Sequence, residues 1–406
     1  MNILIMNCHT ANRGDEAAVR ALIDELIELY PNAQITLGMR GPTRYPNLPQ
    51  NVESINQVIV SGSSDYKYCI AKLTKGRVAI GKTYHNFISK LKKADLVLHA
   101  PGGPSIGDTY YDAEVSYLYI YDLLIAMHKP YMFYAPSMGP FEKTERNNWR
   151  RKVLLNARAI SLRDPISAEY VKKLVPERRV YQTLDSAFQH DIDVVQNREK
   201  FVEFSKLQQF MNTHRKCVGV TITDLSWHPV HSKNKSVSEN IKTSFEIFMK
   251  KLVDDGYGII FIPQLYGTGN DYDLMCSYCF NQKDFFVIPA NDERYDTYFQ
   301  QYLIGQLYAV IGMRYHSNIF SAKMGTPFIS ISYEQKMQGF MEKLGLSNYC
   351  IKLSDLTQEN LIEKFACLEK NHENYKEFLV EKHDVMKKES YRTTEIVKKV
   401  IDSLRG

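Results

Sequence analysis

The stretch YAVIGMRYHSNIFSAKMGTPFISIS, residues 308–332, decides the fold class. It opens with a short apolar run that stops at Gly312. A helix-like segment follows and ends at Gly325, and Thr326-Pro327 turns the chain into a second apolar run. This is a strand–helix–strand unit, the repeating piece of a parallel sheet covered by helices. Ser317 or Asn318 is placed to cap its helix. The turn after the first strand carries Arg314, Tyr315 and His316, and the next strand ends in Tyr333, Glu334 and Lys336. If the two strands are neighbours, Arg314, His316 and Lys336 share one end of the sheet.

The same rhythm runs along most of the chain. Residues 2–6 (NILIM) precede a helix with apolar positions at Val19, Leu22, Ile23, Leu26 and Ile27. Further strands are predicted at 34–38, 57–60, 95–100, 131–135, 158–162 and 179–182. The rhythm pauses in the polar stretch 191–217, then resumes at 218–222, 258–262, 285–289, 308–312 and 327–332. The expectation is two Rossmann-like α/β domains facing a central cleft. We place them at 1–195 and 210–380, with a charged helix at 381–406 returning to the first.

Composition fits this reading. With 406 residues, 44% apolar and 24% charged, the chain is long enough for two soluble cores. A net charge of +5, with no zinc-finger or basic-region pattern, argues against nucleic acid. The 27 tyrosines suit polar, ring-lined sugar clefts. Seven dispersed cysteines read as reduced thiols in a cytoplasmic protein. Cys276 and Cys279 form a lone CxxC with no second pair, so a helix face is the plainer reading than a metal site. MNILIM reads as a strand rather than a signal peptide, and no apolar run approaches the ~20 residues of a membrane span.

In open parallel sheets ligands bind beyond the carboxyl ends of the strands. After the first strand comes NCHTANRGDEA (7–17), which is not a GxGxxG loop. Its Asp15 and Glu16 at a helix start suit the helix dipole but repel phosphate. Asp15 either caps the helix or serves a sugar hydroxyl as acceptor or base. After the strand predicted at 95–100 comes PGGPSIGD (101–108), where Gly102 and Gly103 permit close approach of a ligand or simply make a turn. His99 just before it reads more plainly as a satisfied core histidine. After 158–162, Asp164 and Pro165 look like an N-cap and first helical residue, leaving Arg163 at the strand tip, free to project. Arginine offers a bidentate fork for carboxylate or phosphate, and histidine carries a proton near neutral pH. A site with both suits a small anion whose reaction needs proton transfer.

Taken together, NRGDEA (12–17), PGGPSIGD (101–108), MGP (138–140), LRDPIS (162–167), LDSAF (184–188) and above all residues 312–346 resemble the polysaccharide pyruvyl transferase family. The glycine cluster departs from the family pattern at Pro101 and Pro104. The resemblance implies a fold like that of GT-B glycosyltransferases, phosphoenolpyruvate (PEP) as donor, a sugar acceptor, and a cyclic pyruvate ketal plus phosphate as products. By motif position it implies Arg163, Arg314 and His316 as the PEP-binding and catalytic set; the charge of PEP adds Lys336 to the arginines, with Tyr315 in the same turn, and His316 is the candidate general acid. Asp15, or Glu334, would accept a hydroxyl proton. Asn12, Glu16, Gly102, Gly103 and Asp108 would contact the acceptor sugar, with a 4,6-linked hexose as the family-based expectation. PEP is a co-substrate, and neither a cofactor nor a metal is expected.

Residues 66–94 hold eight Lys or Arg and no Asp or Glu, mixed with apolar residues. They read either as a solvated basic face or as a surface that touches anionic lipid near a lipid-linked acceptor. Two rival readings of the whole chain are a sugar-nucleotide glycosyltransferase and a non-catalytic carbohydrate-binding protein on the same fold.

Overall fold

The computed structural model describes residues 1–9, 12–41, 44–45, 47–266, 270–289 and 292–405. The chain forms two compact units. One comprises residues 1–10, 18–190 and 388–406; the other comprises 11–17 and 191–387.

The first unit holds seven strands: β1 (Asn2–Cys8), β2 (Gln34–Met39), β3 (Val52–Asn56), β4 (Leu96–His99), β5 (Tyr131–Tyr134), β6 (Ala159–Leu162) and β7 (Val180–Gln182). All pairings are parallel, in the order β3-β2-β1-β4-β5-β6-β7. The connections are α1 (Arg13–Leu29), α2 (Tyr66–Leu73), α3 (Lys82–Lys93), α4 (Tyr111–Ala126), α5 (Asn147–Asn156) and α6 (Pro165–Leu174). Side chains alternate along β1. Leu4 and Met6 join one buried cluster with Phe87, Leu118 and Val153, whereas Ile3 and Ile5 join another with Leu22, Leu26, Val397 and Ile401. The last helix therefore supplies half the cover of one sheet face.

One expected strand is displaced. Residues 57–60 are not a strand; β3 lies just before them. The Gln57 amide makes the last ladder contact, to the Met39 carbonyl at 2.9 Å, and its side chain then turns to Asn7. Val58 and Val60 leave the sheet to pack in the core, so their apolar character reports burial and not pairing.

The second unit holds β8 (Lys216–Thr221), β9 (Tyr257–Phe261), β10 (Phe285–Val287), β11 (Ala309–Gly312), β12 (Phe328–Ser332) and β13 (Cys350–Lys352). They pair in parallel in the order β10-β9-β8-β11-β12-β13. β13, three residues with one buried side chain, is too short and polar to announce itself in the sequence. Helices α7 (Val194–Glu203) and α8 (Ser205–Thr213) occupy the pause in strand rhythm. They are followed by α9 (Lys235–Asp254), α10 (Asp271–Ser277), α11 (Thr297–Ile304), α12 (Tyr315–Lys323), α13 (Gln335–Leu344), α14 (Gln358–Lys370) and the long α15 (His372–Arg405). Cys276 is exposed near the end of α10 and Cys279 lies beyond it; both are free thiols.

Candidate active site

β11 and β12 are neighbours in register Val310↔Phe328, so Arg314 and Lys336 follow the carboxyl ends of adjacent strands. The helix between them starts earlier than its sequence suggests. Neither Ser317 nor Asn318 caps α12; it begins at Tyr315, with Arg314 at the N-cap position and no side-chain cap. Both polar side chains have other partners. The Ser317 hydroxyl donates to the Arg314 carbonyl (2.6 Å) and lies 2.7 Å from the Thr221 hydroxyl. The Asn318 amide donates to Ser330 Oγ at 2.8 Å. A Cβ at Gly312 would sit 1.8 Å from Asn318 Oδ1, so the strand must end in glycine here. His316 thereby falls in the first turn of α12.

Arg314 is 5% exposed and forks onto Asp271: Nε donates to Oδ2 at 3.2 Å and the second nitrogen to Oδ1. Its guanidinium lies 5.1 Å from the Trp227 ring centroid, and Tyr333 is a further partner. Burial works against the Arg314 charge, but Asp271 and Tyr333 together outweigh it and raise its pKa above the ordinary value. Asp271 Oδ2 also accepts from the Gln264 and Leu265 amides, at 3.0 and 2.9 Å. Beside this pair runs a second chain, Lys336 Nζ–Glu334 Oε2 at 2.6 Å and Glu334 Oε1–His228 Nε2 at 3.1 Å. Burial alone would raise the Glu334 pKa; Lys336 and His228 reverse that and hold it at about 2. While Lys336 and His228 hold it so, Glu334 is a weaker proton acceptor than an ordinary carboxylate. Tyr315 is buried, 5.7 Å from Lys336 Nζ to ring centroid and 5.1 Å from the His316 ring.

The start of α1 packs in this same unit. A Cβ on Gly14 would lie 2.0 Å from His316 Nδ1 and 2.4 Å from its Cβ, so the imidazole rests on the bare backbone of the α1 first turn. Asn12, and not Asp15, caps that helix: its Oδ1 accepts from the Gly14 and Asp15 amides at 2.8 and 3.3 Å. Glu16 is fully buried and accepts from Arg13 at 2.8 Å. Asp15 is half-buried in the same turn, and its carboxylate has no hydrogen bond or ion pair among the described residues.

In the first unit Arg163 follows β6, as expected, but it is 1% exposed and does not project freely. It donates to Asp185 at 2.6 Å and to Ser137 Oγ at 3.0 Å. Asp164 caps α6 through the Ser167 amide at 2.7 Å, with Pro165 as the first helical residue. The Gly102 carbonyl accepts from the Ser137 amide at 3.1 Å, and Gly103 has open space where a side chain would stand. Asp108 uses both carboxylate oxygens internally, one accepting from Arg150 (2.7 Å) and one from the Lys143 amide (2.9 Å). His99 is a satisfied core histidine. Nδ1 lies 2.7 Å from the Ala100 carbonyl and so donates, while Nε2 accepts from Ser105 at 2.6 Å. Burial lowers its pKa to about 4 and keeps it neutral.

Sequence reasoning missed Trp227, His228 and Asp271. The first two follow β8 in TDLSWHP (223–229) and the third follows β9, so strand-end inspection applied to those strands finds all three.

The chain matches the family model described as polysaccharide pyruvyl transferase over residues 12–335. It is 25% identical over 400 residues to the amylovoran biosynthesis protein AmsJ of Erwinia amylovora, covering 92% of this chain and 93% of that one. Among solved structures it resembles the UDP-GlcNAc 2-epimerase of Neisseria meningitidis, with a TM-score of 0.57, 13% identity, and 98% and 100% of the two chains covered. A glycosyltransferase of Rickettsia africae gives a TM-score of 0.56 at 11% identity, with 98% of each chain covered. At such identities the structural likeness speaks for the fold alone, a GT-B-like pair of parallel-sheet units.

Proposed function

The chain belongs to the polysaccharide pyruvyl transferase family, and on that premise we propose that it moves the pyruvyl group of PEP onto a sugar, forming a cyclic ketal, in the 4,6 linkage on a hexose, and releasing phosphate. The observation that carries the reading is the seating of His316 on the first turn of α1, which brings the proposed acid beside the turn that bears Asp15. His316 protonates the PEP methylene, leaving positive character on the adjoining carbon. One sugar hydroxyl attacks that carbon and gives its proton to Asp15. The carbon–oxygen bond to phosphate then breaks, phosphate departs, and the second hydroxyl closes the ring with loss of its proton. A positioned acid or base contributes roughly a hundred- to ten-thousand-fold in rate. Arg314, Tyr315 and Lys336 form the donor site of the second unit; Arg163 enters on its motif position. PEP would compete with Asp271 and Glu334 for these cations, exchanging one set of charge-assisted hydrogen bonds for another.

The test is a thermal shift with PEP against a panel of sugar nucleotides, followed by phosphate release with sugar acceptors. PEP is expected to raise the melting temperature of the wild type and not of Arg314→Ala. Stabilisation by a sugar nucleotide alone would instead favour a glycosyltransferase.

The acceptor in this proposal is lipid-linked and the enzyme works at an anionic membrane surface, through residues 66–94. In α2, α3 and the turn between them, Lys67, Lys75, Arg77, Lys82, Lys92 and Lys93 have no ion pair among the described residues, whereas Lys72 and Lys90 pair with Asp122 and Glu53. Leu73 is 83% exposed and Val78 47%, on a turn held by Thr74, which accepts from the Val78 amide at 3.1 Å. Exposed apolar residues ringed by unpaired cations suit anionic headgroups. No helix among the described residues is long and apolar enough to cross a membrane. Wild type is expected to float with phosphatidylglycerol-containing vesicles, and a Leu73→Ser/Lys75→Gln/Arg77→Gln variant to stay at the bottom of the gradient. Absence of wild-type flotation would end the idea.

A further inference from the structure

Arg40 sits where β2 ends, its amide donating to the Cys8 carbonyl of β1 at 3.1 Å. The sheet order reverses direction between β1 and β4, and the crevice beyond the carboxyl ends at such a point is where open α/β sheets take ligands. The Arg40 guanidinium lies 3.8 Å from the Tyr117 ring centroid and donates to Ser116 Oγ at 2.9 Å, both on α4 beyond β4. It thus spans from one side of the reversal to the other. The Tyr117 hydroxyl is 3.4 Å from Nε2 of His9, which follows β1.

Arg40 differs from the other inward arginines of its unit. Arg150 and Arg163 each meet carboxylates, but Arg40 meets none among the described residues. Its other terminal nitrogen and the hydroxyl of fully buried Tyr121 both lack a hydrogen-bond partner among the described residues. Burial lowers the Arg40 pKa, and the Tyr117 and Tyr121 hydroxyls act against it. The sequence carries the same message: residues 7–12, 40–48, 100–107 and 135–140, which end β1, β2, β4 and β5 and lead onward, contain no Asp or Glu. Arg40 is half-buried, and a guanidinium partly drawn out of water without a counter-charge bears a cost that is offset when a ligand supplies the anion.

We infer that Arg40, with Tyr117, Tyr121, Ser116 and His9 around it, is an anion-binding subsite of the first unit that takes a phosphate or carboxylate group carried by the sugar acceptor. The identification of the ligand as the acceptor rests on the pyruvyltransferase reading; the anion site does not. The shared chemistry is a compact group of anionic oxygens, supplied either by the diphosphate of a lipid- or nucleotide-linked sugar or by the carboxylate of an acidic sugar.

The test is calorimetric titration with inorganic pyrophosphate and, separately, with glucuronate, both in the presence of excess PEP, on wild type, Arg40→Lys and Arg40→Met. Wild type is expected to bind one of the two probes, which tells diphosphate from carboxylate. Arg40→Met should weaken that binding at least about tenfold, with Arg40→Lys between. Because Arg40→Met removes an uncompensated charge, its ligand-free melting temperature should equal or exceed that of wild type, so loss of binding is not loss of fold. Unchanged affinity in Arg40→Met, or no binding of either probe by wild type, would overturn the inference. Failure of PEP to bind, with Arg40-dependent anion binding intact, would sink the pyruvyltransferase reading and leave the subsite standing.

Discussion

Gly14→Ala is expected to cut turnover as deeply as His316→Ala does, at least about a hundredfold, although it adds a single methyl group outside the RYH motif. The new Cβ would lie 2.0–2.4 Å from three atoms of the His316 side chain, including its Cβ, so a small ring rotation does not relieve the contact. His316 is 6% exposed, so the displaced ring must shift among packed neighbours. Overpacking of this kind costs roughly 1–3 kcal/mol, partly offset by the gain of about 1 kcal/mol for alanine over glycine in a helix. The protein should therefore stay folded with a displaced imidazole. Under the proposed reaction, phosphate release measures the loss, and a thermal shift with PEP checks that donor binding survives. The double variant Gly14→Ala/His316→Ala should be no slower than either single one. Near-normal turnover in Gly14→Ala would mean that the position of His316 is not what catalysis needs.

The second large effect is on stability. Glu114→Ala should cost about 3–5 kcal/mol, the usual penalty for stranding one half of a buried ion pair. Arg150 and Glu114 are both fully buried. Arg150 Nε donates to Glu114 Oε1 at 2.7 Å and a terminal nitrogen to Oε2 at 2.9 Å. Its remaining donors go to Asp108, Asn147 and the Lys143 carbonyl, and Glu114 also accepts from the Gly107 amide at 2.8 Å. Removing the carboxylate undoes one end of the segment that carries Gly102 and Gly103. Replacing both partners, Glu114→Leu with Arg150→Met, should recover much of the loss, because the two fully buried charges go together, while Asp108, 10% exposed, keeps the Lys143 amide. Urea unfolding of the three proteins decides the matter; a single-variant penalty under about 1 kcal/mol would show that water reaches Arg150.

Most strands were legible because a parallel strand between two helical layers is an apolar run, and such a run survives without knowledge of its neighbours. The failures have a common cause. Val58 and Val60 are apolar because they fill the core beside the sheet, and β13 is a strand held by its partner more than by its own side chains. At the site, Arg314, His316 and Lys336 were nameable from their place after strands. Except for Glu334, two residues from Lys336, their partners were not: Asp271 and Gly14 come from segments whose closeness is a product of folding. The Asn12 cap is a local lesson of the same kind, since its side chain reaches two amides that Asp15 cannot satisfy from inside the helix.

The division of the chain has a consequence for inheritance. The first unit includes residues from both termini, and the second borrows residues 11–17 from near the amino end. A recombination event with one crossover near residue 190 would separate Gly14 from His316 and Val397 from the sheet it covers. Halves of two relatives joined there must agree at both borrowed segments. Exchange of acceptor or donor specificity in this lineage is therefore expected to proceed by substitution within loops, and not by trading whole halves.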